Sequence, residues 1–225
     1  MPTREIAEPA TVRLIPTAYH KPPVLRPLVD SAEEEAILAQ VEGLTSRRLK
    51  AQRSGLKGLD ARELLYRAWG YTHINAAFAY ARPEGNRFND GSRGAWYCSF
   101  DDLTSLHEVA FHRTRELQNV GRFEDECVYV ALLAGFIGDF HDIGRFGAPA
   151  GDWLHPDPAI GYPAGQKLAQ TLRENGSRGL LYPSVRRAGG QCLVAFEPSA
   201  VQNVRQGPKW KLEWRGAPDW SATAL

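Results

Sequence analysis

A change of period between residues 95 and 118 constrains this chain more than any other feature. Ala95-Trp96-Tyr97-Cys98-Ser99-Phe100 is a short apolar run suited to a strand, and Asp101 or Asp102 follows as a helix cap. Leu106, Val109, Ala110 and Leu117 then recur at helical spacing to about Gln118. Elsewhere strand signals dominate. Leu64 to Trp69, Cys127 to Leu133, Gly179 to Pro183 and Cys192 to Phe196 are short apolar runs. Lys209 to Arg215 alternates polar and apolar residues, the pattern of a half-buried edge strand. Strands outnumber helices, so the expected class is α+β, a single compact domain with flanking helices.

The N-terminal third reads differently. Pro2, Pro9, Pro16, Pro22, Pro23 and Pro27 punctuate residues 1–30, which predicts an arm rather than a regular element, because proline withholds a ladder donor. Asp30-Ser31 caps an expected helix with Glu33, Glu34 and Glu35 in its first turn, where they favour the helix dipole. Its stripe of Ile37, Leu38, Val41 and Leu44 suits either covering the sheet or a homo-oligomer contact. The basic run from Arg47 to Lys57 reads as a solvated helix end or linker. Residues 144–165, rich in Gly and Pro, are expected to form a long loop, with a helix from about Gly165 to Glu174 ending at Asn175-Gly176. The expected organisation is an extension over 1–60 and a catalytic domain over 61–225.

Composition removes several classes of function. Lys and Arg number 27 against 26 Asp and Glu, a net charge of +1, so no uniform field draws the chain to nucleic acid or an anionic membrane. Hydrophobic residues make up 43% and charged residues 24%, which excludes a disordered chain. Cys98, Cys127 and Cys192 have no C-x-x-C spacing and predict neither a disulfide framework nor a cysteine zinc site. The N-terminus lacks a signal-peptide core and no apolar stretch spans a membrane, so a cytoplasmic location is expected.

Familiar catalytic motifs are missing as well. Neither G-x-G-x-x-G nor G-x-x-x-x-G-K-[ST] occurs, and there is no G-x-S-x-G elbow. His107-Glu108-Val109-Ala110-Phe111-His112 superficially suggests a zinc protease. Its histidines are one residue too far apart, about 140° around a helix rather than about 40°. No metal is expected.

What remains is Arg87 to Ser99 and the helix after it: a glycine-rich loop with Arg87 and Arg93, a strand, and a helical carboxylate, Glu108. Arginine offers a planar fork to phosphate oxygens. Glu108 neighbours Leu106, Val109 and Ala110, so its spacing allows a place near the buried face or one in water between turns.

Tyr66-Arg67, Arg87-Phe88-Asn89-x-Gly91, Tyr97, Glu108 and Gly179-Leu180-Leu181-Tyr182-Pro183-Ser184 resemble, in that order, the RES-domain family over about Leu64 to Val201. Its characterised members are bacterial toxins of toxin–antitoxin pairs that degrade NAD. The resemblance implies an ADP-ribosyltransferase-like split β-sheet core, with NAD as a consumed substrate rather than a cofactor. It implies a cognate antitoxin with a helix-turn-helix DNA-binding domain, and no direct nucleic-acid binding.

Carried onto this sequence, the resemblance makes Glu108 the catalytic carboxylate and Arg67 the holder of an NAD phosphate or ribose. Arg87, with Asn89 and Gly91 in the same loop, would shape the pocket, and Tyr97 would stack on the nicotinamide side. The family's serine before the late-helix Gln is missing, because Ala164-Gly165-Gln166 stands there. The serine role then rests on Ser184 or is absent, and Ser184 also reads as a turn residue after Pro183. Gln166 is the alternative polar contact. His107 and His112 are expected at the helix surface or core, and Cys98 on the strand face opposite Tyr97, packed as a small hydrophobe. The expected activity is an NAD phosphorylase or glycohydrolase. The alternatives are transfer of ADP-ribose to a macromolecule, or a catalytically silent protein that binds a nucleotide or a partner.

Overall fold

The computed structural model describes residues 1–20, 31, 33, 46–144 and 151–225. Among the described residues there are seven strands: β1 (Thr3–Pro16), β2 (Trp96–Ser99), β3 (Glu124–Asp142), β4 (Gly179–Pro183), β5 (Gln191–Ala195), β6 (Gln202–Arg215) and β7 (Trp220–Ala224). Four α-helices among the described residues accompany them: α1 (Arg47–Ser54), α2 (Tyr71–Ala79), α3 (Asp102–Val120) and α4 (Pro158–Glu174). The strands form one sheet in the order β1-β2-β5-β4-β3-β6-β7, and β1 pairs additionally with β3. That second pairing closes five strands into a ring from which β6 and β7 extend. The class is α+β, as the strand count predicts.

Period-2 alternation sorts the side chains into separate cores. Trp96 and Cys98 of β2, Leu181 of β4, Leu193 and Ala195 of β5, and Leu132, Ala134 and Phe136 of β3 share one core with Ile74 and Phe78 of α2. The intervening residues face the other way. Leu180, Tyr182, Cys192 and Val194 pack with Ala169 and Leu172 of α4. Val12, Leu14, Tyr129 and Leu212 pack with Leu106, Ala110 and Leu117 of α3. Each fully buried aromatic, such as Trp96 or Phe136, contributes about 2–3 kcal/mol.

Over Thr3–Pro16 the proline-punctuated N-terminus is a strand rather than an arm, and residues 21–30, with Pro22, Pro23 and Pro27, lie outside the described residues. β1 runs antiparallel to β3 from Thr3 opposite His141 to Pro16 opposite Tyr129. Its prolines deprive the ladder of little. Pro2 precedes the strand, Pro16 ends it, and Pro9 lies where the register shifts between Glu8 and Thr11. Buried Thr11 follows that irregularity and donates its hydroxyl to the Ala134 carbonyl at 2.8 Å.

Three further expectations are corrected. Leu64 to Trp69 forms no strand: Arg67 has φ 63°, and the Asn75 side chain takes both backbone groups of Leu65 that a ladder would use. Lys209 to Arg215 is not at the edge, because β7 pairs with β6 along its outer side. The long loop ends early, since Asp157 caps α4 and Pro158 occupies its first position. Residues 145–150 of that loop lie outside the described residues, as does the helix expected from Ser31 to Leu44 apart from Ser31 and Glu33. No helix among the described residues is long and apolar enough to cross a membrane.

Candidate active site

α3 begins where Asp101 accepts the Thr104 amide at 2.7 Å, and it ends at Gly121, whose φ of 73° suits a left-handed cap. Leu106, Ala110 and Leu117 turn one face to the sheet. One turn apart on another face, Glu108, His112 and Glu116 line a cavity of about 580 Å³. Glu108 is thus half-buried and faces a hollow, which settles the question its spacing leaves open. The cavity is bounded by α3, by Tyr97, Tyr182 and Cys192 of the β2-β5-β4 strands, by Tyr162 of α4, and by β1 from Val12 to Pro16.

Ser184 reaches Glu108 from the turn joining β4 to β5. Its Oγ donates to Glu108 Oε1 at 2.6 Å and accepts the amides of Arg186 and Arg187 at 3.1 Å each. The hydroxyl of Ser184 thus serves the turn, as its place after Pro183 suggests, and also contacts the Glu108 carboxylate. The turn is itself tied to the start of α3: Arg187 Nη1 donates to the Asp101 carboxylate at 3.2 Å and to Thr104 Oγ1 at 2.8 Å. The Cys192 thiol lies 3.9 Å from the same Glu108 oxygen, and burial pushes its ionisation up, so it stays a neutral thiol.

The Arg87 loop is built around Tyr97. The Tyr97 hydroxyl donates to Asn89 Oδ1 at 2.8 Å and accepts the Phe88 amide at 2.9 Å. Burial first of all raises the Tyr97 phenol well above its ordinary range, which keeps it a donor. Asn89 also donates to the Asp90 and Arg93 carbonyls at 2.9 Å. Gly91 is required by close approach, for a Cβ there would lie 2.2 Å from the Pro83 carbonyl oxygen. Asn89 and Gly91 therefore shape the loop without lining the cavity. Arg87 crosses to α4, donating Nη1 to the carbonyls of Trp153 at 2.7 Å and His155 at 3.0 Å, with its guanidinium 5.5 Å from the Tyr162 ring. Gly165 admits that crossing, since a Cβ would meet the Arg87 carbonyl oxygen at 2.2 Å.

Of the residues singled out in the sequence, the fold gathers Arg87, Tyr97, Glu108 and Ser184. Gln166 fastens the loop to α4 by donating to the Glu84 and Asn86 carbonyls at 2.9 and 3.0 Å, and it lines a second hollow, not the first. Arg67 is exposed and lines neither. Cys98 packs in the core opposite Tyr97, its thiol pushed up to about 12 by burial. His107 meets Trp220 edge-on at 5.0 Å, away from the cavity.

Three contributors were not legible from the motifs. His112 lines the cavity, and burial, then the charges of Arg82, Arg186, Arg115 and Arg87, lower it to about 4. Its i+4 spacing from Glu108 was the available signal. Arg186 lies over the Phe111 ring, its Cζ 3.3 Å from the ring centroid. β1 supplies Arg13, which lies over Trp96 and donates to the Tyr97 carbonyl at 3.1 Å. Among the described residues no cluster of three His, Cys, Asp or Glu side chains is placed to hold a metal ion.

Residues 64–215 match the RES domain, and the chain belongs to the RES-domain family. No curated protein matches it. Among solved structures, a chain from the crystal structure of the M. tuberculosis MbcT–MbcA toxin–antitoxin complex is similar, with 14% identity and a TM-score of 0.46. The alignment covers 99% of this chain and 86% of that one.

Proposed function

We propose that this RES-domain protein consumes NAD by breaking the bond between nicotinamide and ribose, and acts as the toxin of a toxin–antitoxin pair. The observation that carries the chemistry is the Glu108 carboxylate, held by Ser184 at 2.6 Å and facing a cavity that also presents Arg87 and Tyr97. As the glycosidic bond lengthens, its electron pair passes to the pyridinium nitrogen and positive charge grows at the anomeric carbon. A fixed carboxylate beside that carbon stabilises the oxocarbenium-like state, as in glycoside hydrolysis. One Glu108 oxygen accepts the hydrogen bond of the Ser184 hydroxyl, which orients the carboxylate.

Tyr97 presents a ring whose hydroxyl is pinned at both ends, so it is preorganised to stack on the nicotinamide. NAD enters this reading as substrate; the chemistry calls for no further cofactor. Water or phosphate then captures the ribosyl carbon and gives up a proton. The toxin role, with a helix-turn-helix antitoxin as partner in the cytoplasm, follows from what RES-domain membership implies.

Product analysis tests the reading. Purified protein is incubated with NAD, with and without inorganic phosphate, and both halves of the substrate are followed. Nicotinamide with free ADP-ribose identifies a glycohydrolase, and nicotinamide with a phosphate ester of ADP-ribose identifies a phosphorylase. ADP-ribose attached to protein or nucleic acid would replace the proposal with macromolecular transfer. No nicotinamide under any condition would contradict it.

A further inference from the structure

Five arginines and two glutamates line the cavity: Arg13, Arg82, Arg87, Arg113 and Arg186 against Glu108 and Glu116. Most of that charge is already answered. Arg82 pairs with Glu116 at 2.9 Å, while Arg113 pairs with Glu116 at 3.1 Å and Asp125 at 2.7 Å. Arg13 is committed to the Tyr97 carbonyl. Two cations are left. Arg87 spends one nitrogen on neutral carbonyls and has no carboxylate partner among the described residues. The Arg186 guanidinium has neither hydrogen bond nor ion pair among them, only the Phe111 face against which it lies. Glu108 accepts from Ser184 rather than from either arginine.

We propose that Arg186 and Arg87 together form a subsite for a phosphoryl oxyanion, an inference that rests on the NAD-consuming reading for its place in the reaction. Arg87 and Arg186 face one hollow and repel each other, with Glu108 opposing that repulsion from the same hollow, and an anion with several oxygens adds counter-charge while filling both forks. Burial, and then the charge of Arg87, lower the proton affinity of Arg186, while Glu108 raises it. The subsite is prebuilt: the Phe111 ring holds the Arg186 guanidinium, and the Ser184 hydroxyl fixes its backbone amide. The same serine therefore positions both the carboxylate at the bond that breaks and the arginine that holds the oxyanion. Two sources share this chemistry, the pyrophosphate of the dinucleotide and a free phosphate acceptor.

Binding, which needs no turnover, is the test. Full-length protein is titrated calorimetrically at low ionic strength with inorganic pyrophosphate, inorganic phosphate and, as a control, acetate, using wild type, Arg186→Gln and Arg186→Lys. The expected result is pyrophosphate or phosphate binding that weakens at least tenfold in Arg186→Gln, weakens less in Arg186→Lys, which keeps the charge but not the fork, and is not matched by acetate. The lysine variant separates charge from packing should the glutamine variant unfold. Phosphate that competes with NAD, with KM raised by Arg186→Gln, assigns the subsite to the dinucleotide. Phosphate stimulation lost in Arg186→Gln at unchanged KM for NAD assigns it to the acceptor. Equal binding by wild type and Arg186→Gln, or acetate binding as tight as pyrophosphate, would overturn the proposal. Absence of nicotinamide release with pyrophosphate binding intact would remove the NAD reading alone.

Discussion

Ser184 donates a 2.6 Å hydrogen bond to Glu108 across 76 positions of sequence, joining the turn after β4 to the middle of α3. The same oxygen accepts two backbone amides, so the bond belongs to a rigid turn and not to a free rotor. Replacing Ser184 by Ala removes a charge-assisted hydrogen bond and uncaps the turn. The expected cost is about 1–3 kcal/mol of stability, measured by urea unfolding. Nicotinamide release should fall about tenfold or more, with a larger effect on kcat than on KM, because the serine orients Glu108 without filling the substrate space.

Arg87 and Arg67 separate cleanly. Arg87→Lys exchanges a planar fork for a point charge and should raise KM for NAD about tenfold, the loss of roughly one charge-assisted bond. Arg67→Ala should leave KM within about twofold, because Arg67 is exposed and outside the cavity. Steady-state kinetics on the two variants checks both statements. The reverse ranking would return the substrate phosphate to Arg67.

His112 makes stability depend on pH. Its pKa is lowered from 6.5 to about 4, chiefly by burial. The unfolded chain therefore takes up the proton first as pH falls. Stability associated with the neutral imidazole is full above about pH 6.5, declines through the interval, and is lost by about pH 4, a total of roughly 3 kcal/mol. Urea unfolding at pH 7.5, 5.5 and 4.5 should show this decline, and His112→Gln should flatten it.

Removing residues 1–16 tests whether β1 is part of the fold. The strand pairs along β3 and forms a wall of the cavity, although it lies outside the stretch that matches the RES domain. The shortened chain should lose its cooperative unfolding transition and its nicotinamide release. A truncated protein that folds and turns over NAD like wild type would show β1 to be dispensable.

Local signals carried the reading where they sufficed. The Asp101 cap and the stripe of Leu106, Ala110 and Leu117 define α3, and the short apolar runs define β2, β4 and β5, because each is a matter of neighbouring residues. What failed depended on distant partners. Pro9 seemed to forbid a strand, yet it falls at a register shift against β3, which only the pairing reveals. Gly161, Pro163 and Gly165 looked like loop composition, yet both glycines make room for Arg87 within a helix. The site divides in the same way. The motif order pointed to Glu108, Tyr97, Arg87 and Ser184, which the fold brings together, and to Arg67, which it leaves exposed outside the cavity, whereas Arg186 and His112 enter through tertiary placement alone.

The most direct test of this account is nicotinamide release from NAD by wild-type protein and by Glu108→Gln, a substitution that keeps size and hydrogen bonding while removing the charge. Wild type should release nicotinamide, and the variant should lose activity by at least about a thousandfold, roughly 4 kcal/mol of transition-state stabilisation, with an unchanged unfolding midpoint. Release by Glu108→Gln at a rate close to wild type would contradict the assignment of Glu108 and, with it, the proposed chemistry.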